Sequence, residues 1–194
     1  MSQIFEAILS TATVDGATHI APLGFKREGE FIVLAPFHPS RTMDNLRANG
    51  IAAVSHTDDV RVFAGCLTGR REWPLTPCAE IACGRLSHAL SHSELRVERV
   101  EQDATRPRFL CCEVARANHA PFPGHNRAQA AVIEACILAS RLGMLPADKL
   151  VREMAYLAIA IDKTAGPNEL EAWRWLKHKI DRHLAAQPAA ERTP

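Results

Sequence analysis

The proline-rich segment Ala120-Pro-Phe-Pro-Gly124 divides the sequence into two parts with different hydrophobic patterns. Before it, short apolar runs alternate with turn signals such as Asp15-Gly16, which is typical of strands joined by tight turns. After it, the pattern is typical of helices. The sequence therefore predicts a β domain over residues 1–119, a helical subdomain over residues 120–187 and a frayed tail over residues 188–194.

The first part contains predicted strands and one predicted helix. The strands cover residues 4–13, 17–25, 31–35, 51–55, 78–88, 94–100 and 109–115. Ser40 supplies a hydroxyl cap for a helix that ends before Gly50. Because short strands linked mostly by turns favour an antiparallel barrel over a doubly wound sheet, the predicted fold class is α+β, mainly β, with a barrel followed by helices.

The second part contains three predicted helices. Asn126 caps the first, which runs to Leu142. The second covers residues 146–162. The third starts near Pro167, and its apolar residues at spacings of three and four are predicted to be buried: Leu170, Trp173, Leu176, Ile180 and Leu184.

The near-neutral charge of the chain excludes two classes of partner. It carries 23 Lys and Arg against 22 Asp and Glu, without the basic excess that nucleic acids or membrane surfaces require. No apolar run approaches the roughly 18 residues of a membrane span, and the N-terminus lacks the pattern of a secretion signal. We therefore expect a cytoplasmic protein with no nucleic-acid or membrane partner.

The cysteines and histidines form no recognisable metal or disulfide pattern. The six cysteines include no Cys-x-x-Cys pair and are predicted to be reduced core residues. His88 and His92 are four residues apart but lack a carboxylate or cysteine partner in a metal-site pattern, so no metal site is predicted. The glycine-rich, nucleotide-hydrolysis and serine-esterase motifs are also absent, and no catalytic acid or base is identified.

The start of the predicted helix after Pro36 has the chemistry of an anion site. Ser40, Arg41 and Thr42 bring two hydroxyls and a guanidinium to the point where free backbone amides and the positive end of the helix dipole meet. The alternative is an ordinary hydroxyl cap followed by a solvent-facing arginine.

Five segments of the chain resemble one known family. They are STATVDGATHIAPLG (10–24), APFHPSRTMDNL (35–46), AVSHTDDV (53–60), NRAQAAVIEA (126–135) and DKTAGP (162–167). In this order they resemble the flavin-binding split β-barrel proteins of the flavin reductase-like superfamily, in particular an uncharacterised branch found in methanogens and methylotrophic bacteria. The pair Ser55-His56 departs from the Asn-hydrophobic pair expected in relatives.

The resemblance implies a homodimer that holds FMN near the subunit interface. On that basis Ser40, Arg41 and Thr42 bind the FMN phosphate and Asn45 supports their loop. The segment from Ala21 through Pro22 to Leu23 runs beside the isoalloxazine ring, with Thr11 and Thr13 on the neighbouring strand. Asp58 reaches the flavin or, equally, forms a turn with Asp59.

A second candidate lies at the start of the predicted helical part. Asn126 and Arg127 precede Glu134 and Arg141 on one polar stripe, which would suit an anionic substrate. The alternative is a solvated helix edge or a salt bridge between subunits. The turn residues Lys163 and Thr164 leave the same choice open.

Three functions are compatible with these sequence features and with the family resemblance. The first is an FMN-dependent oxidoreductase with a small-molecule substrate or a nicotinamide donor. The second is a non-catalytic FMN carrier or ligand-binding dimer, and the third is an enzyme that uses a deazaflavin. The distribution of the family points to tetrahydromethanopterin-linked one-carbon metabolism, although no residue identifies a pterin site.

Overall fold

The computed structural model describes residues 3–186, so the tail predicted over residues 188–194 lies outside the described residues. Contacts divide the chain into two compact units, a barrel unit (residues up to 58 and 72–122) and a helical unit (59–71 and 123 onwards). The described strands are β1 (Ile4–Ala12), β2 (Thr18–Glu28), β3 (Phe31–Leu34), β4 (Ile51–His56), β5 (Leu75–Pro77), β6 (Gly84–Leu86), β7 (Ser91–Glu101) and β8 (Arg108–Asn118). The helices are α1 (Arg41–Asn49), α2 (Val60–Leu67), α3 (Arg127–Ser140), α4 (Ala147–Thr164) and α5 (Pro167–Ala186).

The barrel unit is a closed antiparallel barrel, as predicted. Its strand order is β1-β2-β3-β8-β7-β4, and β4 closes the barrel against β1. Alternate residues along the strands point inward and form the core with two residues of α1. The fully buried members of this core are Ala7, Leu9, Phe25, Ile32, Leu34, Met43, Leu46, Ala52, Val54, Leu95, Phe109 and Cys111.

Helix α1 forms as its flanking residues predict. Ser40 caps its start with a hydroxyl that accepts a hydrogen bond from the amide of Met43, and Gly50 ends it in the left-handed conformation at φ 62°. Met43 and Leu46 face the barrel core. The helix therefore closes one end of the barrel and fixes where its own N-terminus lies.

The strand predicted over residues 78–88 is wrong in extent, because only Gly84–Leu86 is a strand there. The amides of Ala79, Glu80 and Ile81 donate to the carboxylate of Glu94 and not to a neighbouring strand. This segment therefore bends over the outer face of the barrel. There Ile81 and Cys83 pack against Ala12 and Ala53.

Helix α2 was not predicted, and it moves part of the predicted β domain into the helical unit. Asp59 caps it by accepting from the amide of Arg61. The helix buries most of its eight residues, so it lacks the polar face by which short helices are recognised. Its contacts with α3 and α5 place residues 59–71 with the helices, whereas the predicted boundary assigned residues 1–119 to the barrel.

The three helices of the second part lie close to their predicted positions. Asn126 caps α3, and Pro146 and Pro167 stand at the starts of α4 and α5. Helix α5 buries Trp173, Leu176 and Ile180 as predicted, but Leu170 is 36 % exposed and Leu184 only half-buried. Glu169 and Ala172 complete the buried face instead, because they lie one helical turn before Trp173 and Leu176.

None of the six cysteines forms a disulfide within residues 3–186, and four of them are buried. Burial raises the pKa of Cys66 and Cys83 to about 11. These thiols therefore stay protonated at neutral pH and pack as small apolar groups. Cys78 and Cys112 are half-buried, so the predicted core role does not extend to them.

Between residues 3 and 186, no helix combines the length and the apolar character that crossing a bilayer requires.

Candidate functional site

The N-terminus of α1 presents an exposed arginine beside the first backbone amides of the helix. Arg41 is exposed, and within residues 3–186 its guanidinium makes no hydrogen bond or ion pair. Thr42 is buried beside it, and Ser40 Oγ lies 3.3 Å from the amide nitrogen of Met43. The first amides of a helix have no intrahelical acceptor and carry the positive end of its dipole. This end of α1 therefore suits an anionic group.

Asn45 and Thr11 position that helix on the barrel. Asn45 Nδ2 donates to Thr11 Oγ1 at 2.9 Å, and both side chains are buried. One turn later, Asn49 Nδ2 donates to the carbonyl oxygen of Ala12 at 2.8 Å. Two amide side chains thus tie α1 to the end of β1.

Thr13 belongs to the turn that joins β1 to β2. Its hydroxyl hydrogen-bonds with the carboxylate of Asp15 and lies 2.8 Å from the carbonyl oxygen of Ala17. The hydrogen bond from Thr13 is the largest cause of a lowered pKa at Asp15, and Arg41 contributes through its charge. The turn therefore carries a negative charge within electrostatic reach of the N-terminus of α1.

The edge of β2 is open beside Pro22. Ala21, Pro22 and Leu23 pair with β1, whereas β3 pairs with β2 only from Phe25 to Glu28. Proline has no amide proton and is therefore tolerated where a strand edge lacks a partner. Because α1 packs against both β1 and β2, α1 and the open edge of β2 belong to one region of the barrel unit.

Asp58 and Asp59 have different roles. Asp59 caps α2, and its carboxylate also binds the guanidinium of Arg61 at 2.7 Å. The half-buried Asp58 ends the first stretch of the barrel unit and makes no side-chain hydrogen bond or ion pair within the described residues. Asp59 is therefore a helix cap, and the preceding Asp58 has a carboxylate without a partner among the described residues.

Asn126 and Arg127 stand at the start of α3 in the helical unit. Asn126 Oδ1 accepts from the amides of Ala128 and Gln129, and its Nδ2 donates to the carbonyl oxygen of Thr164. The Asn126 side chain is thus occupied by capping and by a tie to the end of α4. Arg127 is exposed, as are Glu134 and Arg141 further along the same stripe. Lys163 is also exposed, while the Thr164 hydroxyl donates to the carbonyl oxygen of Ala160.

A hydrogen-bonded chain of three side chains, which runs from buried Glu94 and His92 to exposed His119, escaped the sequence analysis. Glu94 Oε1 lies 3.1 Å from His92 Nε2, and His92 Nδ1 lies 2.9 Å from His119 Nε2. Glu94 and His92 are only 1 % and 5 % exposed. The sequence contains a signal for this contact, because His92 and Glu94 are two residues apart on one strand and therefore lie on the same face of the sheet.

The statement that His92 lacks a carboxylate or cysteine partner is therefore wrong. The ligand atoms of Cys78, His92 and Glu94 lie within 4.8 Å of one another. However, the Glu94 carboxylate already accepts three backbone hydrogen bonds, and both His92 nitrogens have partners. Burial raises the pKa of Cys78 to about 12, and the nearby charge of Glu94 adds to this. The three residues have the types of metal ligands, but His92 and Glu94 are engaged in internal hydrogen bonds.

The chain of side chains ends at a cavity of about 620 Å³ in the barrel unit. His119 lines it together with His56, Ser91 and Phe122. His56 ends β4, four residues beyond Ala52, which pairs with Thr11. The cavity therefore lies toward the end of β4 away from α1. The other residue of the atypical pair, Ser55, is buried and accepts from the amide of Leu86 at 3.2 Å.

Protonation of His56 is expected to make the stability of the fold depend on pH. Burial is the largest cause of its lowered pKa, and the charges of Arg27 and Arg116 add to it, although Ser91 and Glu113 act in the opposite direction. Because the folded pKa lies below the usual 6.5, the unfolded chain binds the proton more readily, and stability falls as the pH drops from about 7 to 5. Urea unfolding across this range should show a smaller loss in His56→Gln than in the wild type. Equal slopes would contradict this role of His56.

Comparison with protein families gives two matches that together span most of the chain. Residues 5–120 match a model described as the N-terminal domain of a protein of unknown function (DUF447), and residues 126–178 match the following DUF447 model. Comparison with curated proteins gives no match.

Solved structures with the same fold include flavin-binding proteins. An FMN-bound protein of Methanosarcina mazei, assigned to DUF447, is similar over 92 % of this chain and 96 % of its own, with a TM-score of 0.79 and 19 % identity. The styrene monooxygenase flavin reductase of Pseudomonas putida matches over 60 % of this chain and 79 % of its own (TM-score 0.50, 19 % identity). An FMN-binding protein of Thermus thermophilus with bound 1-cyclohex-2-enone matches over 61 % and 71 % (TM-score 0.50, 13 % identity). At these identities the similarity shows a shared fold.

Proposed function

This chain belongs to the DUF447 family of proteins of unknown function, and from that premise we propose that it is a flavoprotein that binds FMN and uses it as an oxidoreductase. The observation that carries the proposal is Arg41 at the N-terminus of α1, which has no hydrogen bond or ion pair within the described residues, on a helix that packs against β2 with its open edge. The FMN-bound DUF447 protein of Methanosarcina mazei supports it, since its fold matches nearly the whole chain.

The residues at the start of α1 fit the phosphate of FMN. The phosphate is a dianion, and a helix N-terminus with a flexible guanidinium and a hydroxyl offers it charge and hydrogen-bond donors together. No existing contact of Arg41 has to break before it binds the phosphate, because Arg41 has no hydrogen bond or ion pair within the described residues. We assign the phosphate to Ser40, Arg41 and Thr42.

The open edge of β2 fits the flavin ring. Ala21, Pro22 and Leu23 are half-buried, so they offer both apolar surface and backbone polar groups. FMN supplies the redox chemistry, while the protein binds, orients and shields the ring. Thr11 and Asn45 contribute by fixing the position of α1, and Thr13 contributes by fixing the adjacent turn. Asp58, whose carboxylate has no partner within the described residues, offers that carboxylate to the ribityl hydroxyls or the ring.

A spectrum and a reductant test the oxidoreductase activity. Protein purified with FMN should be yellow, and anaerobic NADH or NADPH should bleach its absorption near the flavin maximum. A yellow protein that neither nicotinamide reduces would favour the alternative, a non-catalytic carrier. Failure to bind FMN together with retention of a deazaflavin would favour the deazaflavin-dependent enzyme.

Arg127 is our proposed contact for an anionic substrate. It is exposed and has no ion pair among the described residues, whereas the side chain of Asn126 serves as a helix cap and acts only through the start of α3. A link to tetrahydromethanopterin-dependent metabolism remains part of the proposal, with no pterin contact assigned.

The proposed active form is a cytoplasmic homodimer. Several large apolar side chains of the barrel unit are exposed, among them Ile4 at 58 % and Phe122 at 61 %, and association would cover such surface. Light scattering at micromolar concentration should give about twice the chain mass of 21.3 kDa. A mass equal to that of one chain would contradict the dimer.

A further inference from the structure

A cleft of about 730 Å³ in the helical unit is lined by three arginines and a lysine, together with two histidines and four uncharged residues. We call it the α5 cleft, because six of its lining residues come from that helix: Arg174, Trp175, His178, Lys179, Arg182 and His183. Arg70, which follows α2, extends the same lining. Within residues 3–186, no Asp or Glu lines the cleft.

The six α5 residues form two adjacent rows along one side of the helix. Arg174, His178 and Arg182 are spaced four apart, and the second row follows one residue later. Residues four apart on a helix lie one above the other. At a rise of about 1.5 Å per residue, the row from Arg174 to Arg182 is roughly 12 Å long. The cationic surface is therefore longer than one phosphate or carboxylate group.

The arginines of the first row, Arg174 and Arg182, are exposed. Neither Arg174 nor Arg182 makes an ion pair or side-chain hydrogen bond in the part of the chain that the structure describes. Lys177, on the neighbouring face of the same helix, pairs with Asp181 at 2.6 Å. Lys179 and Arg182 carry like charges three residues apart on the helix, so they repel each other weakly. A bound anion would reduce this repulsion.

Other contacts hold the walls of the α5 cleft in place. The guanidinium carbon of Arg70 lies 4.2 Å from the ring centroid of Trp175, and its Nη1 donates to Thr68 Oγ1 at 3.0 Å. Lys179 Nζ donates to the carbonyl oxygen of Leu67 at 2.5 Å. A stacked indole and an anchored ammonium restrict the lining, so less entropy is lost when a ligand binds.

We propose that the α5 cleft binds a small molecule that carries several phosphate groups. Guanidinium groups pair with phosphate through two parallel hydrogen bonds, and a volume of this size accommodates a ligand of nucleotide dimensions. A nucleic acid is disfavoured because the chain as a whole has a formal charge of only +1. The inference goes beyond FMN binding and does not depend on it.

Calorimetric titration of the full chain with inorganic phosphate, pyrophosphate and tripolyphosphate, at a fixed ionic strength and with FMN present in excess, tests the proposal. Affinity should rise along this series, with tripolyphosphate saturating one site per chain. Arg174→Ala and Arg182→Ala should each weaken tripolyphosphate binding about tenfold, the loss of one charge-assisted contact. Both residues are exposed, so these variants should keep the unfolding temperature of the wild type.

Two controls separate a specific site from general attraction. Lys177→Ala removes the same charge from the same helix but not from the cleft, and it should leave tripolyphosphate affinity unchanged. Arg41→Ala should also leave it unchanged, which separates this site from the proposed FMN phosphate site. Absence of saturation, or an equal loss in Lys177→Ala and Arg174→Ala, would overturn the proposal. Equally tight binding of citrate would overturn the assignment to phosphate.

Discussion

Replacing Arg41 by alanine should lower the affinity for FMN about ten- to a hundredfold, which corresponds to a charge-assisted contact of roughly 1.5–3 kcal/mol. The side chain is exposed and has no ion pair within residues 3–186, so its removal should not disturb the barrel. Flavin fluorescence titrations of the wild type and Arg41→Ala measure the difference.

Riboflavin and a second arginine provide the controls for this prediction. Riboflavin has the flavin ring but no phosphate, so it should bind the wild type and Arg41→Ala about equally. Arg47→Ala removes an exposed guanidinium from the last turn of the same helix, and it should keep the FMN affinity of the wild type. Unchanged FMN affinity in Arg41→Ala would remove Arg41 from the site, and equal losses for FMN and riboflavin would indicate a damaged fold.

Replacing Glu94 by alanine should destabilise the protein by about 3–5 kcal/mol, the range for removing one partner of a buried charged network. The carboxylate accepts hydrogen bonds from the amides of Ala79, Glu80 and Ile81 and contacts His92. Its removal leaves buried donors without an acceptor. Chemical unfolding at neutral pH measures the loss, and Glu98→Ala, at an exposed position of the same strand, should change stability by less than about 0.5 kcal/mol.

The contribution of Glu94 should also disappear in acid. Burial raises its pKa, but the hydrogen bonds from Ala79, Glu80 and His92 outweigh burial and leave the pKa below the usual 4.5. A carboxyl whose folded pKa is lowered stabilises the fold above its unfolded pKa, and this contribution is lost as the pH falls through the folded pKa. The difference in stability between the wild type and Glu94→Ala should therefore narrow progressively as the pH falls below the usual 4.5 and through the lowered folded pKa. A difference that stays constant across the acid range would contradict an ionised Glu94.

Features set by neighbouring residues could be predicted from the sequence. The limits of α1 follow from the Ser40 cap and from Gly50, whose positive φ only glycine adopts readily. The cap of α3 at Asn126 follows in the same way. Apolar runs of four to eleven residues between turn signals were likewise sufficient to predict most strands of the barrel.

Features that depend on contacts between distant residues could not be predicted. The hydrogen bond between Asn45 and Thr11 joins residues 34 positions apart, and the sequence contains no local signal for it. Glu94 was assigned only to a strand, although its carboxylate determines the path of residues 79–81. Helix α2 was missed because its apolar residues meet partners in α3 and α5 and so leave no amphipathic pattern.

The central claim, that this chain binds FMN through its phosphate, is tested most directly by equilibrium titration of the wild-type protein with FMN and with riboflavin. The account predicts saturable quenching of flavin fluorescence at one FMN per chain, with riboflavin at least about tenfold weaker because it lacks the charge-assisted phosphate contacts. Absence of saturable quenching, or equal affinity for the two flavins, would contradict it.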